Sequence, residues 1–210
     1  MADETTNRSK GPREPVGEGG DSREAIIAAT IEIMRDQGYA AVSSRRIAER
    51  AGLKSKLVHY YFKTMDELFL AVYKRIEDQH FIQVTRALAS ARPLHTLWQL
   101  NLETTNTAIV LELTAAANHR KILGAEIARA SERFRLLQAA AFERAARDAG
   151  REPPLPPLVA AVLSLALSRL LAMDRVLGVS SGHEETLREI GAMLAALEGE
   201  PHKVAPPSAA

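Results

Sequence analysis

Between residues 45 and 63 the chain carries six basic side chains, Arg45, Arg46, Arg50, Lys54, Lys56 and Lys63, against one acidic, Glu49. Ser44, Ser55, Leu57, His59 and Tyr60 are interleaved with them. This set suits recognition better than turnover, because cations neutralise phosphates while short polar side chains bond to backbone oxygens and base edges. A solvated helix face would also tolerate such charges, so charge alone does not decide. Groups suited to covalent or metal chemistry are scattered. His80, His95, His119 and His183 lack ligand spacing, and neither a nucleophile elbow nor a glycine-rich phosphate loop is present. The chain has no cysteine, which excludes disulfides and thiolate-held zinc. No catalytic residue, metal site or cofactor is therefore expected, and the chain does not read as an enzyme.

Those residues need elements to hold them. The 210 residues are 46% hydrophobic and 25% charged, an ordinary balance for a globular protein. Net charge is +1, but residues 22–75 carry +4 and the flanking parts are negative. Alternating apolar and polar runs are absent and Ala and Leu abound, so the expected class is all-α. About nine helices are predicted: 22–37, 44–51, 55–62, 64–88, 94–105, 106–117, 119–149, 157–177 and 182–198. Ser43 caps the second, Thr64-Met65-Asp66-Glu67 is a capping box, and Pro93 and the prolines after Gly150 are breaks. The expected organisation is a disordered tail (1–21), a small first domain (22–75), a larger helical body (76–200) and a loose end (201–210). The most apolar stretch, 155–177, is interrupted by Ser164, Ser168, Arg169, Asp174 and Arg175, so no membrane span is expected. The first residues lack the apolar core of a secretion signal, and a cytoplasmic location is expected.

Ile47, Ala51, Leu53, Val58 and Tyr61 are spaced as the small core of a helix-turn-helix. Ala48 lies where the two helices cross, and Gly52 sits where the turn needs a left-handed backbone. The stretches Arg23-Glu24-Ala25-Ile26-Ile27-Ala28-Ala29, Gly38-Tyr39, Ile47-Ala48 with Ala51-Gly52-Leu53, Tyr60-Tyr61-Phe62 and Asp66-Glu67-Leu68 resemble the DNA-binding domain of tetracycline-repressor-type (TetR family) regulators. The resemblance covers about residues 22–75; beyond it only length and helical character are similar. His59 stands where the family commonly has Tyr, and Met65 where it commonly has Lys, a residue that supports phosphate contact.

In that reading 55–62 is the recognition helix, which enters the major groove of a double-stranded DNA operator. Ser55 and Lys56 face base edges, Leu57 is available to a thymine methyl, and Arg45 offers a bidentate contact to guanine with Ser44 beside it. Lys54, Tyr60 and Lys63 suit phosphates, and His59 is a further contact. One such helix gives a small interface, so a homodimer is expected, with two helices about 34–36 Å apart. Residues 157–177, apolar almost all round, and 182–198, striped by Leu187, Ile190, Leu194 and Leu197, would form a four-helix dimer interface.

In the body, Trp98, Asn101 and Thr105 share one helical face, and Phe134, Leu137 and Met173 are expected to line the same cavity. The resemblance implies a pocket there for a small-molecule effector and derepression on binding. The long helix from Thr64 is expected to join the two halves as a stiff lever. The alternative is a helical DNA-binding or scaffold protein that senses nothing. Selective binding of one short duplex, released by a small molecule, separates the two.

Overall fold

The computed structural model describes residues 19–103, 107–153 and 155–199. Among them there are nine α-helices and no strand. They are α1 (Gly19–Gln37), α2 (Ser44–Arg50), α3 (Ser55–Tyr61), α4 (Met65–Leu88), α5 (Pro93–Leu102), α6 (Thr107–Ala117), α7 (Lys121–Asp148), α8 (Pro157–Leu177) and α9 (His183–Glu198). A single 3-10 turn, Tyr39–Ala41, links α1 to α2. The all-α class and the order of elements match expectation, although α1 starts earlier, at Gly19. The tails 1–18 and 200–210 and the junction 104–106 expected between α5 and α6 lie outside the described residues, as does Thr105.

Local chemistry explains the boundaries. Gly38 ends α1 with φ of 79° and Gly52 makes the α2–α3 turn with φ of 67°. Both values are left-handed conformations that L side chains resist. Ser43 Oγ accepts from the Arg46 N–H at 3.4 Å, and Thr64 Oγ1 accepts from the Glu67 N–H at 3.1 Å. The capping box closes one residue early: Glu67 Oε2 accepts from the N–H of Lys63 at 2.8 Å, not from that of Thr64.

Two apolar clusters run through the molecule. One joins α1, α2, α3 and the first half of α4 (Ile26, Ile47, Val58, Leu68, Val72) to Ile109, Leu113 and Leu123 of α6 and α7. The other joins the end of α4 to α5, α7, α8 and α9 through Val84, Leu97, Trp98, Phe142, Ala161 and Leu194. The first cluster thus crosses the boundary expected at residue 75. On α4 and α7 a polar layer separates the clusters. Glu77 is buried there against Arg129 of α7, and Phe134 packs against both sides; Gln138 is buried further along α7. Ser164 and Ser168 are buried from α8.

By length and composition α8 is apolar enough to cross a membrane, contrary to the sequence expectation, with mean hydropathy 1.6 over its most apolar window. Serines weigh little against so many Leu, Val and Ala. One side of α8 packs on α5, α6 and α7. That side is mostly small, made of Ala160, Ala161, Ser164, Ser168 and Ala172 with Leu171, while Leu158, Val159, Val162, Leu163, Leu170 and Met173 point outward. On α9 the stripe is spent within the protomer, since Leu194 and Leu197 are buried in the second cluster.

The last residue of α9 closes the body. Pro93 at the start of α5 leaves the N–H groups of Leu94 and His95 in need of acceptors. Glu198 supplies both: Oε1 accepts from Leu94 N at 2.7 Å and Oε2 from His95 N at 3.1 Å. His95 Nδ1 lies 2.9 Å from the same Oε2. Replacing Glu198 by Ala is expected to cost about 1–2 kcal/mol, as loss of a helix cap does. Urea denaturation measures it, and an unchanged midpoint would show that the cap contributes nothing.

Candidate nucleic-acid interface

α2 and α3 have seven residues each, too few to persist alone. Ile47, Ala48 and Val58 are buried beneath them, with Ala51, Leu53 and Tyr61 partly buried around that core. Arg23 of α1 lies over the Phe62 ring at 5.1 Å, and Arg75 of α4 pairs with Glu24 of α1 at 3.2 Å. α1 thereby reaches the end of α3 and is itself tied to α4.

The nine residues expected at DNA fall on one continuous stretch of α2, the turn and α3. Arg45, Lys54, Ser55, Lys56, His59, Tyr60 and Lys63 are exposed, and Ser44 and Leu57 are half-buried at its edge. Tyr60 is 66% exposed, held edge-on to Tyr61 at 5.1 Å, with Lys63 Nζ 5.6 Å from its ring. The six cations do not behave alike. Arg50 pairs with Glu32 and Asp36, each at 3.2 Å, and hydrogen bonds with Asp36 and then Glu32 raise its pKa further. Arg46 donates to the Ala41 carbonyl at 3.3 Å. Arg45, Lys54, Lys56 and Lys63 make no ion pair among the described residues, so four cations face solvent uncompensated. Met65 is half-buried against the first cluster and offers apolar packing where a lysine would offer charge.

Of the residues expected to line one cavity in the body, Phe134 and Leu137 pack against the second cluster. Trp98 is buried in the second cluster. Asn101 is half-buried with Nδ2 unpartnered. Phe134 stacks edge-on to His80 at 4.8 Å. Leu137 opens onto a cleft of about 440 Å³ bordered by Leu88, Pro93, Ala141, Arg144 and Leu197. Met173 does not point inward: it is exposed on the outer face of α8, because the inward positions on either side are taken by Ala172 and Ser168. Sequence reasoning missed the polar layer. It also missed Gln138, a polar residue one turn from both Phe134 and Phe142; it is 2% exposed and its Nε2 has no partner. In the polar layer Glu77 accepts both bonds from Arg129 Nη2, at 2.9 and 3.1 Å. Burial, with Glu77 adding, pushes the Tyr73 phenol to about 12, and burial, with Arg169 adding, lowers the pKa of His80.

A short exposed cationic helix packed on α2 and α1 is the arrangement with which helix-turn-helix proteins enter the major groove. Residues 26–72 match the family of bacterial regulatory proteins called the tetR family. It is 33% identical over 54 residues to the HTH-type transcriptional regulator BetI of Rhizobium meliloti, covering 26% of this chain and 27% of that protein. It is 34% identical over 68 residues to the HTH-type transcriptional activator FasR of Mycolicibacterium smegmatis, covering 32% and 31%. Each match thus spans less than one third of the relative's length. A TetR transcription regulator from Haloarcula marismortui shares the fold with TM-score 0.71 at 21% identity, over 84% of this chain and 97% of that one. Salmonella enterica GusR does so with TM-score 0.63 at 15% identity, over 87% and 94%.

Two predictions follow from this geometry. Arg45→Ala is expected to cost roughly 1–3 kcal/mol on the selected duplex and to relax preference at one base position, while Lys63→Ala weakens all sequences alike and lowers the salt slope by about one. Arg50→Ala, already paired within the protein, should leave the slope unchanged. Salt titrations on selected and random duplex measure all three, and equal losses for Arg45→Ala on both would remove it from base reading. The second concerns acid. His80 in the folded protein holds its proton less well than the ordinary 6.5, so below that value the unfolded chain binds more protons. Stability present above about pH 6.5 is expected to fall as pH drops through it, and His80→Phe should flatten that fall. Urea denaturation across the range checks it, and parallel curves would show His80 to be freely titrating.

Proposed function

We propose that the chain is a cytoplasmic, sequence-specific repressor that binds a palindromic operator as a homodimer and is released by a small-molecule effector. Residues 22–75 read DNA and residues 76–200 sense and dimerise. Arg45, Ser55, Lys56 and Leu57 meet base edges, and Ser44, Lys54, His59, Tyr60 and Lys63 hold the backbone. The observation that carries the dimer is the inverted polarity of α8, with mainly alanine and serine beside Leu171 inside and leucine and valine outside. Val159, Val162, Leu163, Leu170 and Met173 recur at helical spacing along one outward stripe, a surface that water disfavours and a second copy would cover. Support for an effector comes from the unpartnered donors Asn101 Nδ2 and Gln138 Nε2 and from the cleft beside Leu137. Buried donors left unmade are costly, and a ligand bearing oxygen acceptors would satisfy them.

Selection of bound sequences from random duplexes, followed by a metabolite screen for release, tests the whole reading; recovery of no preferred sequence would end it. For the dimer, Leu163 and Leu170 are 43% and 48% exposed and sit two turns apart. Changing both to Glu is expected to give helical monomers that bind the operator far more weakly. Sedimentation of the wild-type chain as a monomer at micromolar concentration would sink the dimer.

A further inference from the structure

The corner between α6 and α7 grips the DNA-reading half away from both the recognition helix and the polar layer. Glu112 Oε2 accepts from the backbone N–H of Tyr39 at 2.9 Å. Arg120 Nε donates to the Tyr39 phenol oxygen at 2.7 Å, and its Nη1 pairs with Asp66. The same guanidinium lies over the Phe69 and Tyr39 rings, at 5.0 and 5.7 Å. Those two rings pack at 4.8 Å. Three segments therefore meet at Arg120: the turn that feeds α2, the first turn of α4 and the start of α7.

A greasy contact fixes distance and lets surfaces slide. A planar guanidinium shared by a phenol, a carboxylate and two rings also fixes direction. Glu112 adds a second attachment on the backbone of Tyr39, which resists rotation about the first. The grip is placed where tilt matters, because Tyr39 leads into α2 and Asp66 opens α4 beside Lys63. It has an electrostatic effect too: Asp66 unpaired would oppose phosphate next to Lys63, and Arg120 offsets that charge. The corner itself is tied down, since the N–H groups of Asn118, His119 and Arg120 bond back to the carbonyls of Ala115, Ala116 and Ala117.

We propose that Glu112 and Arg120 are positioning residues that set the separation of the two recognition helices, and so the half-site spacing the dimer accepts. This rests on the dimeric operator reading above. Neither residue meets DNA in it; both act by holding Tyr39 and α4 against the body.

The test uses the full chain, the selected operator, a single half-site duplex, and operators whose half-sites are moved by one or two base pairs. Wild type should discriminate sharply among spacings. Arg120→Met should lose about tenfold on the native spacing, a typical coupling between sites. Its half-site affinity should stay unchanged, and its preference among spacings should flatten to a few-fold. Arg120→Lys keeps the charge opposite Asp66 and should fall between the two. Tyr39→Phe removes only the phenol oxygen, keeps the ring packing, and should flatten the preference in the same sense should Arg120→Met fold poorly. Wild-type spacing preference in both Arg120→Met and Tyr39→Phe would overturn the proposal, whatever their overall affinity. A wild-type chain that binds every spacing alike would overturn both the proposal and the dimeric reading beneath it, which separates the two failures. A second readout needs no DNA. The chain lacks cysteine, so Ala28→Cys on exposed α1 takes one spin label per subunit. The label-to-label distance distribution should broaden in Arg120→Met, and an unchanged width would also overturn the proposal.

Discussion

Helices of seven residues do not hold themselves together in water, because nucleation costs more than two turns of hydrogen bonds return. The surface proposed to read DNA consists of two such helices. Their order must come from the first apolar cluster, and that cluster is not private to the N-terminal half. Ile109, Leu113 and Leu123, from the body, share it with Ile47, Val58 and Leu68. The surface that reads and the body behind it are one packed unit, so a shift of α6 or α7 cannot leave α2 and α3 untouched.

Charge is distributed with the same economy. Six cations between residues 45 and 63 read as one basic stripe. The fold divides them: Arg50 is consumed by Glu32 and Asp36, Arg46 ties the turn at Ala41, and four remain for solvent. The internal pairs contribute orientation more than stability, since exposed ion pairs are individually weak. Their effect is to hold α2 at a set angle to α1, which presents Arg45 at one end of the surface while Lys56 stands at the other.

Much of this was legible in the sequence because it is local. Ser43, Gly52, Thr64 and Pro93 announce helix ends through their own backbones, and the apolar stripe of α4 follows a 3.6-residue period from Leu68 to Val84. The nine residues expected at DNA lie on one surface for the same reason, being close in sequence. The rest is long-range. Nothing near Arg120 announces that its partner is Asp66, or that Glu198 caps a helix begun at Pro93. The stripe on α9 was visible as a stripe, but periodicity cannot say which neighbour covers it, and Leu194 turns inward. Met173 failed similarly: it is apolar on an apolar helix, and only packing decides which side of α8 is inside.

The polar layer and the grip at Arg120 sit on the same rod. Glu77 and His80 are on α4, eleven and more residues beyond Asp66, about 16 Å along a continuous helix. Below the layer α4 belongs to the first cluster, and above it to the second. Apolar packing resists sliding in proportion to interlocked area, and a polar layer interrupts that interlock where Glu77 meets Arg129. In the proposed reading, an effector bound at Gln138 beyond the layer would favour one seating of α4 over another, by no more than its difference in affinity for the two. Asp66, tied through Arg120 to the α6–α7 corner, then resists that tilt at the DNA end. The two features oppose each other along one helix, one allowing it to move and the other defining where it rests.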